Sequence, residues 1–242
     1  MTDSLRLPPG QHLAPLERFG LPEFAPRKVV PPARPVVTVS GQVKHPAQVE
    51  IADLLDGLPR RDQRSGINCV TTWSAPDLAW SGVPLRHVLA RLTPQVEPYG
   101  KARWLRLLGL DGYWTCLRLD DAGADEVLLA DTLDGQPLPP AHGAPVRVIA
   151  PSHYGYKSVK HLCAIEYLRH HRAGSASWTE HPRGRVAREE RSRFLPGWFW
   201  RPLWRALLPR AMAIAERANR HRQRVENPHE TGPPVSRHTL GS

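Results

Sequence analysis

The chain has 242 residues, 40% of them hydrophobic and 23% charged, which suits a globular protein with one sizeable core and extensions. Its three cysteines (Cys69, Cys116, Cys163) form no CxxC or CxxCH pair, so zinc-ribbon and c-type haem readings have no support, and no run of about 18 apolar residues suggests a spanning helix. The net charge of +10 is uneven: from His170 onward 14 Arg, no Lys, 6 Glu and no Asp give +8, leaving +2 for the first 169 residues, so nucleic-acid binding by the chain as a whole is not expected.

Residues 1–35 are rich in proline ("LPPG", "LPEFAPRKVVPPARP"), which reads as an extended arm lying over the core and forming no element of it. The opening stretch has neither a basic-then-apolar order nor a twin-arginine pair. The expectation is a soluble protein of the reducing cytoplasm.

"VVTVSG" from Val36 to Gly41 predicts a strand, and "ADLLDGLP" one or two helical turns ending near Gly57. After Cys69, "GVPLRHVLARL" predicts a helix, with Pro84 in its first turn and Leu85, Val88, Leu89 and Leu92 on one face. "ARWLRLLGLDGYWTCLRLD" predicts a hairpin turning on Asp111-Gly112 as a two-residue loop. "EVLLADTLDGQPL" predicts a strand and a second Asp-Gly turn, "PVRVIAP" a strand, and "YGYKSVKHLCAIEYL" a glycine-containing loop entering a short helix or strand. The class is α+β, with mixed short strands, few helices and no internal repeat.

From Ala173 the character changes. "SWTEHPRGRVAREERSRFLPGWFWRPLWRALLPR" mixes Arg with four Trp (178, 198, 200, 204), "AMAIAERANRHRQRVEN" looks helical, and the last residues look disordered. The division is therefore an arm over 1–35, a domain over 36–170 and an Arg/Trp-rich extension over 171–242. Pro202 and Pro209 interrupt the aromatic stretch, so a continuous amphipathic helix is not expected. The extension could clamp onto the core, dock a partner or lie at a membrane surface.

Two stretches carry chemistry. Cys69 in "INCVTTWS" could be a nucleophile, a ligand of a soft metal or a small buried apolar group. A lone cysteine holds a metal only if an organic cofactor supplies further sulfurs. In "LDGQPLPPAHGAPVRVIAPSHYGYKSVKHL", His142, Arg147, Lys157 and Lys160 fall in a compact span with Gly143 and Gly155. Arginine offers a planar fork of donors and lysine a point charge, so the span reads as an anion site for a phosphate or as a solvated basic loop. Trp73, Trp80 and Trp104 could wall a pocket or fill a core. Tyr154, Tyr156, His45 and His153 could reach a site, whereas Cys116 and Cys163 read as structural.

Together, "CVTTWS…WSGVPL", "DGY", "VLLADTLDGQPLPPAHGAPVRVIAP" and "YGYKSVKHL", in that order from about Val36 to Tyr167, resemble the sulfite oxidase family of molybdopterin-dependent oxidoreductases. The resemblance implies a sulfite-oxidase-type molybdopterin-binding domain and one mononuclear molybdenum on a single pterin. Its implied activity is two-electron oxygen-atom transfer on a small substrate such as an S- or N-oxide or an oxyanion. It implies that Cys69 binds the metal through its thiolate and is the catalytic residue. His142 and Arg147 would contact the pterin and its phosphate, and Ser158, Val159 and Lys160 would form the loop that holds the phosphate. Where vertebrate-type sulfite oxidases carry arginines just after the cysteine, this chain has Thr71, Thr72, Trp73 and Ser74, which argues against sulfite itself. The expectation is that the Arg/Trp extension stands where that type has its C-terminal immunoglobulin-like domain. No haem, flavin or iron–sulfur motif is present, so a separate protein would donate or accept the electrons. The alternative is a catalytically silent member that binds an anion or a partner through its basic tail.

Overall fold

Eleven strands in two sheets and three short helices carry the described part of the chain. This computed structural model describes residues 7–189, except 9, 17, 18, 25 and 178, and four helical positions at 202, 206, 213 and 217. The expectations for the tryptophans of the extension and for its end fall outside the described residues.

One sheet has five strands in the order β3-β2-β11-β6-β7: β2 (Val36–Gly41), β3 (Ala47–Glu50), β6 (Trp104–Gly109), β7 (Trp114–Arg118) and β11 (Leu162–Leu168). β11 runs parallel to β2 and antiparallel to β6, so the sheet is mixed. In the other sheet β1 (His12–Leu13), β5 (Trp73–Pro84), β8 (Leu128–Leu133) and β10 (Arg147–Ile149) form the main path. There β4 (Arg61–Asn68) also pairs with β5, and β9 (Gln136–Pro137) with β8.

The β-branched run of β2 alternates buried Val37 and Val39 with partly exposed neighbours, as one buried sheet face requires. The helix expected after Cys69 is α2 (Leu85–Val96), with Pro84 at its N-cap; Leu85, Val88, Leu89, Leu92 and Val96 are its buried face. They join Val37, Val39, Leu105, Leu107 and Ile165 in the main core. Each such side chain contributes about 1.5–3 kcal/mol relative to exposure. A second cluster gathers around Trp80, Ile67 and Ile149 of the other sheet. The helical turns of "ADLLDGLP" are α1 (Ile51–Leu55), and α3 (Leu119–Ala122) is a single turn.

The two Asp-Gly turns differ. At Asp134-Gly135 both residues have positive φ (50° and 76°) and Leu133 pairs with Gln136, the two-residue hairpin expected. Between β6 and β7 the loop is residues 110–113, with Leu108 opposite Trp114. Only Gly112 has positive φ there (82°), and the Asp111 carboxylate accepts from the Tyr113 N–H at 2.9 Å, so the side chain closes a longer turn.

The arm also departs from expectation. It contributes β1, parallel to β5 with His12 opposite Trp73 and Leu13 opposite Ser74. The His12 N–H donates to the Thr72 carbonyl at 2.8 Å, and the Ala14 N–H to that of Ser74 at 2.9 Å. Prolines around this short segment do not prevent pairing, because its two ladder donors come from residues that have N–H groups. In the extension, residues 174–177 and 179–189 are described, and Gly174, Ser175, Glu180 and His181 bond to one another, to β7 or to Tyr156. Among the described residues no helix is long and apolar enough to cross a membrane.

Candidate functional site

Cys69 sits in the loop that joins β4 to β5, a hairpin whose register runs from Arg61–Gly82 to Asn68–Ser74. The loop is closed tightly. The Cys69 N–H donates to the Trp73 carbonyl at 2.7 Å, the Thr72 N–H donates to the Cys69 carbonyl at 3.1 Å, and Thr72 takes positive φ (78°). Gln11 of the arm braces it from outside, donating through Nε2 to the Cys69 carbonyl at 3.1 Å and accepting from the Ser74 hydroxyl at 3.1 Å.

The Cys69 thiol is half-buried and free, with Thr71 Oγ1 at 2.9 Å from its Sγ. Burial pushes the thiol pKa up, and the hydrogen bonds from Thr71 only partly offset this. An activated nucleophile needs the reverse, a pKa lowered by a neighbouring cation or base. Among the described residues no cluster of three or more His, Cys, Asp and Glu could hold a metal. A metal at Cys69 would therefore need other ligands than a His, Cys, Asp or Glu cluster of the described residues.

The basic residues converge on a second loop pair. Arg147 opens β10 and is 2% exposed, with Nη1 donating to the His142 carbonyl at 3.0 Å and the guanidinium 5.2 Å above the Trp80 ring. Its Nε is buried without a hydrogen-bond partner among the described residues. Burial alone pulls its pKa down to about 9. His142 ends a 3-10 turn, Pro140–His142, followed by Gly143 at φ 110°. A Cβ at Gly143 would lie 3.1 Å from the Cβ atoms of both Arg147 and Lys160, so the glycine lets these two basic residues flank the turn closely. Lys160 donates to the Ala141 carbonyl at 2.8 Å. The Val148 N–H donates to the Val159 carbonyl at 2.8 Å, and Ser158 Oγ accepts from the Ala150 N–H at 3.2 Å. His142, Arg147, Ser158, Val159 and Lys160 thus share one neighbourhood.

Lys157 does not belong to it. Its ammonium is fully buried and donates to Glu180 at 2.6 Å and to the Cys116 carbonyl at 2.7 Å. The expectation that Lys157 faces an anion is corrected: an internal carboxylate already holds it.

The thiol loop and the basic loop are neighbours. Asn68 forms a parallel bridge with Tyr154, and a Cβ at Gly155 would meet Ile67 and the Phe19 ring. Phe19 packs edge-on against Trp73 at 6.5 Å, and its carbonyl lies 3.5 Å from Lys160 Nζ. Tyr113 donates to the Tyr156 carbonyl at 2.6 Å; burial lifts its phenol well above the usual range, and the Glu180 charge adds to that. Trp73 and Trp80 are core residues, and Trp104 stacks edge-on with His171. His45 is exposed beside Glu97. His153 is buried beside Asp121 and lines a different cavity of about 350 Å³.

The donor set fits an anionic organic cofactor beside a soft metal. A buried guanidinium whose partners are a carbonyl and an indole face has no counter-charge among the described residues, and a buried charge needs one. Beside Cys69, Thr72 Oγ1 and Trp73 Nε1 are also buried without hydrogen-bond partners among the described residues. These are the unmet groups expected of a cradle for a polar ligand.

Sheets, thiol loop and basic loop together define a mixed-sheet oxidoreductase domain built around a phosphate-bearing metal cofactor. The family described as "Oxidoreductase molybdopterin binding domain" matches residues 26–176, and the chain belongs to it: a sulfite-oxidase-type domain whose cofactor is molybdenum–molybdopterin. The chain is 34% identical over 168 residues to the protein-methionine-sulfoxide reductase catalytic subunit MsrP of Ralstonia nicotianae, covering 62% of this chain and 49% of that protein. It is 35% identical over 136 residues to the uncharacterized oxidoreductase YuiH of Bacillus subtilis, covering 56% and 66%. The fold is similar to the sulfane dehydrogenase SoxCD of Paracoccus pantotrophus, with a TM-score of 0.54 at 19% identity over 70% of this chain and 47% of that one. The match spans about half the length of the MsrP proteins.

Glu180 was not singled out in the sequence because it lies in a charged stretch that reads as exposed tail. Gln11 was missed because nothing local marks an arm glutamine as a partner for a loop 58 residues on. Residue chemistry alone does not separate Lys157 from Lys160; only the family resemblance assigns the phosphate to Lys160.

Proposed function

We propose that this protein is a mononuclear molybdenum enzyme that reduces a small neutral S-oxide to the thioether. The balance is one S-oxide, two protons and two electrons to one thioether and one water. When bound, the cofactor supplies the two-electron exchange of the oxygen atom. The Cys69 thiolate is the metal's protein ligand, held in place by the closed loop and by Gln11. Arg147 and Lys160 neutralise the pterin phosphate, while His142, Ser158 and Val159 shape the backbone around it. The observation that carries this reading is Arg147, 2% exposed and with no carboxylate partner among the described residues.

The substrate class follows from two supports. The residues after Cys69 are Thr71, Thr72, Trp73 and Ser74, which carry no charge with which to hold an oxyanion. The MsrP relatives bear the name of a protein-methionine-sulfoxide reductase. Those relatives are called catalytic subunits, which supports a separate protein as the electron donor. The free thiols of Cys69, Cys116 and Cys163 favour a reducing compartment such as the cytoplasm.

The test follows oxidation of a reduced viologen dye by the molybdenum-loaded protein with methionine sulfoxide or dimethyl sulfoxide and, in a separate assay, reduction of an oxidised acceptor dye with sulfite. S-oxide-dependent turnover, lost in Cys69→Ser, is expected. Turnover with sulfite alone would overturn the substrate assignment.

A further inference from the structure

We infer that Thr71 is a positioning residue that tunes the metal through the Cys69 sulfur. The inference rests on the reading of Cys69 as the metal's thiolate ligand. Thr71 Oγ1 lies 2.9 Å from Cys69 Sγ, two residues along the same closed loop. In a free thiol either atom can donate. A thiolate bound to a metal has no proton, so the direction is fixed: the Thr71 hydroxyl donates and the sulfur accepts.

That bond draws charge away from the ligand. Hydrogen bonding around a coordinating cysteine sulfur is one of the ways a protein sets a metal's potential. A sulfur relieved of charge donates less to the metal, so the reduced metal is favoured and the potential rises. The geometry is suited to this. The β-branched side chain of Thr71 has few rotamers, and the backbone hydrogen bonds of Cys69 and Thr72 fix the loop independently of the hydroxyl. Neighbouring Thr72 is no substitute, because its Oγ1 is buried without a hydrogen-bond partner among the described residues. Gln11 holds the backbone of Cys69, whereas Thr71 touches its sulfur.

The experiment compares wild type, Thr71→Val, Thr71→Ala and Thr71→Ser, each purified with its cofactor. Molybdenum and pterin content is measured, and the metal is titrated potentiometrically with electron paramagnetic resonance as readout. At the wild-type midpoint, Thr71→Val and Thr71→Ala should shift the oxidised-to-reduced ratio toward oxidised by about tenfold, equivalent to about 59 mV per electron. Thr71→Ser, which keeps the hydroxyl, should stay near wild type. Unchanged potentials in fully loaded Thr71→Val and Thr71→Ala would overturn the inference and leave the role of Cys69 standing. Loss of molybdenum from both would also overturn it, by making Thr71 a structural part of the loop. A wild-type protein that carries pterin but no thiolate-bound molybdenum would sink the functional reading itself.

Discussion

Lys157 Nζ and Glu180 Oε1 meet at 2.6 Å with their side chains 0% and 1% exposed, joining the loop beneath the basic cluster to the extension. Thr115, His171 and the Gly174 N–H also address the Glu180 carboxylate. Removing one partner of such a pair leaves a buried charge alone, at a cost of about 3–5 kcal/mol. Glu180→Ala should lose that much in denaturant unfolding, whereas the double variant Lys157→Met with Glu180→Leu should recover most of it. Equal losses in single and double variants would count against the pair.

Acid should act through the same carboxylate and through Asp121. Burial pushes Glu180 up, but hydrogen bonds from His171, Lys157 and Gly174 outweigh it and hold the carboxyl below its usual range. Asp121 is likewise lowered: the Arg183 bond and the His153 charge overcome its burial. A carboxylate with a depressed folded pKa adds stability that is fully present above its unfolded pKa and fades as pH falls through the folded one. Stability should therefore drop with acid below the ordinary carboxylate range, and Glu180→Gln should flatten that slope. An equally steep slope in the variant would refute this.

Arg147 is where stability and function oppose each other. Without an anion its buried charge is a burden on the fold, and replacing buried charge with an apolar side chain often stabilises by about 1–4 kcal/mol. Cofactor-free Arg147→Met should melt higher than cofactor-free wild type, yet retain far less pterin when both are made in a competent host. A lower melting temperature with normal pterin content would show Arg147 to be a structural residue.

Gly143 sets the approach of the two basic residues. At φ 110° a side chain is strained, and its Cβ would press on Arg147 and Lys160. Gly143→Ala should cost about 1–3 kcal/mol of stability. Pterin content should fall as well, because Arg147 and Lys160 must move apart. Retention of wild-type pterin at reduced stability would separate the glycine from the site.

The arm contact is testable by proteolysis. Loss of a hydrogen-bonding side chain of this kind costs about 1 kcal/mol. Gln11→Ala should speed cleavage within residues 7–24 while the domain beyond stays resistant. An unchanged cleavage rate would mean that the β1 pairing alone holds the arm.

What was legible in the sequence had a local cause. The valines of β2, the apolar face of α2 and the Asp134-Gly135 turn each announce themselves within a few residues. The ordered motifs from Cys69 to Lys160 brought the family and its cofactor into view. The β4–β5 hairpin was not legible, because "RDQRSG" is polar on both faces and β5 carries two prolines and a glycine. Strand β1 was hidden because its pairing uses backbone groups alone. Lys157 and Lys160 differ only in burial, which a carboxylate 23 residues downstream decides for Lys157.

The central claim is the bond between the Cys69 sulfur and molybdenum. Protein made in a host able to synthesise molybdopterin, then partly reduced, should contain stoichiometric molybdenum and give a paramagnetic resonance spectrum with thiolate ligation. Cys69→Ser should lose or clearly alter that spectrum while still binding pterin. A molybdenum-free wild type, or an identical spectrum from Cys69→Ser, would contradict the account.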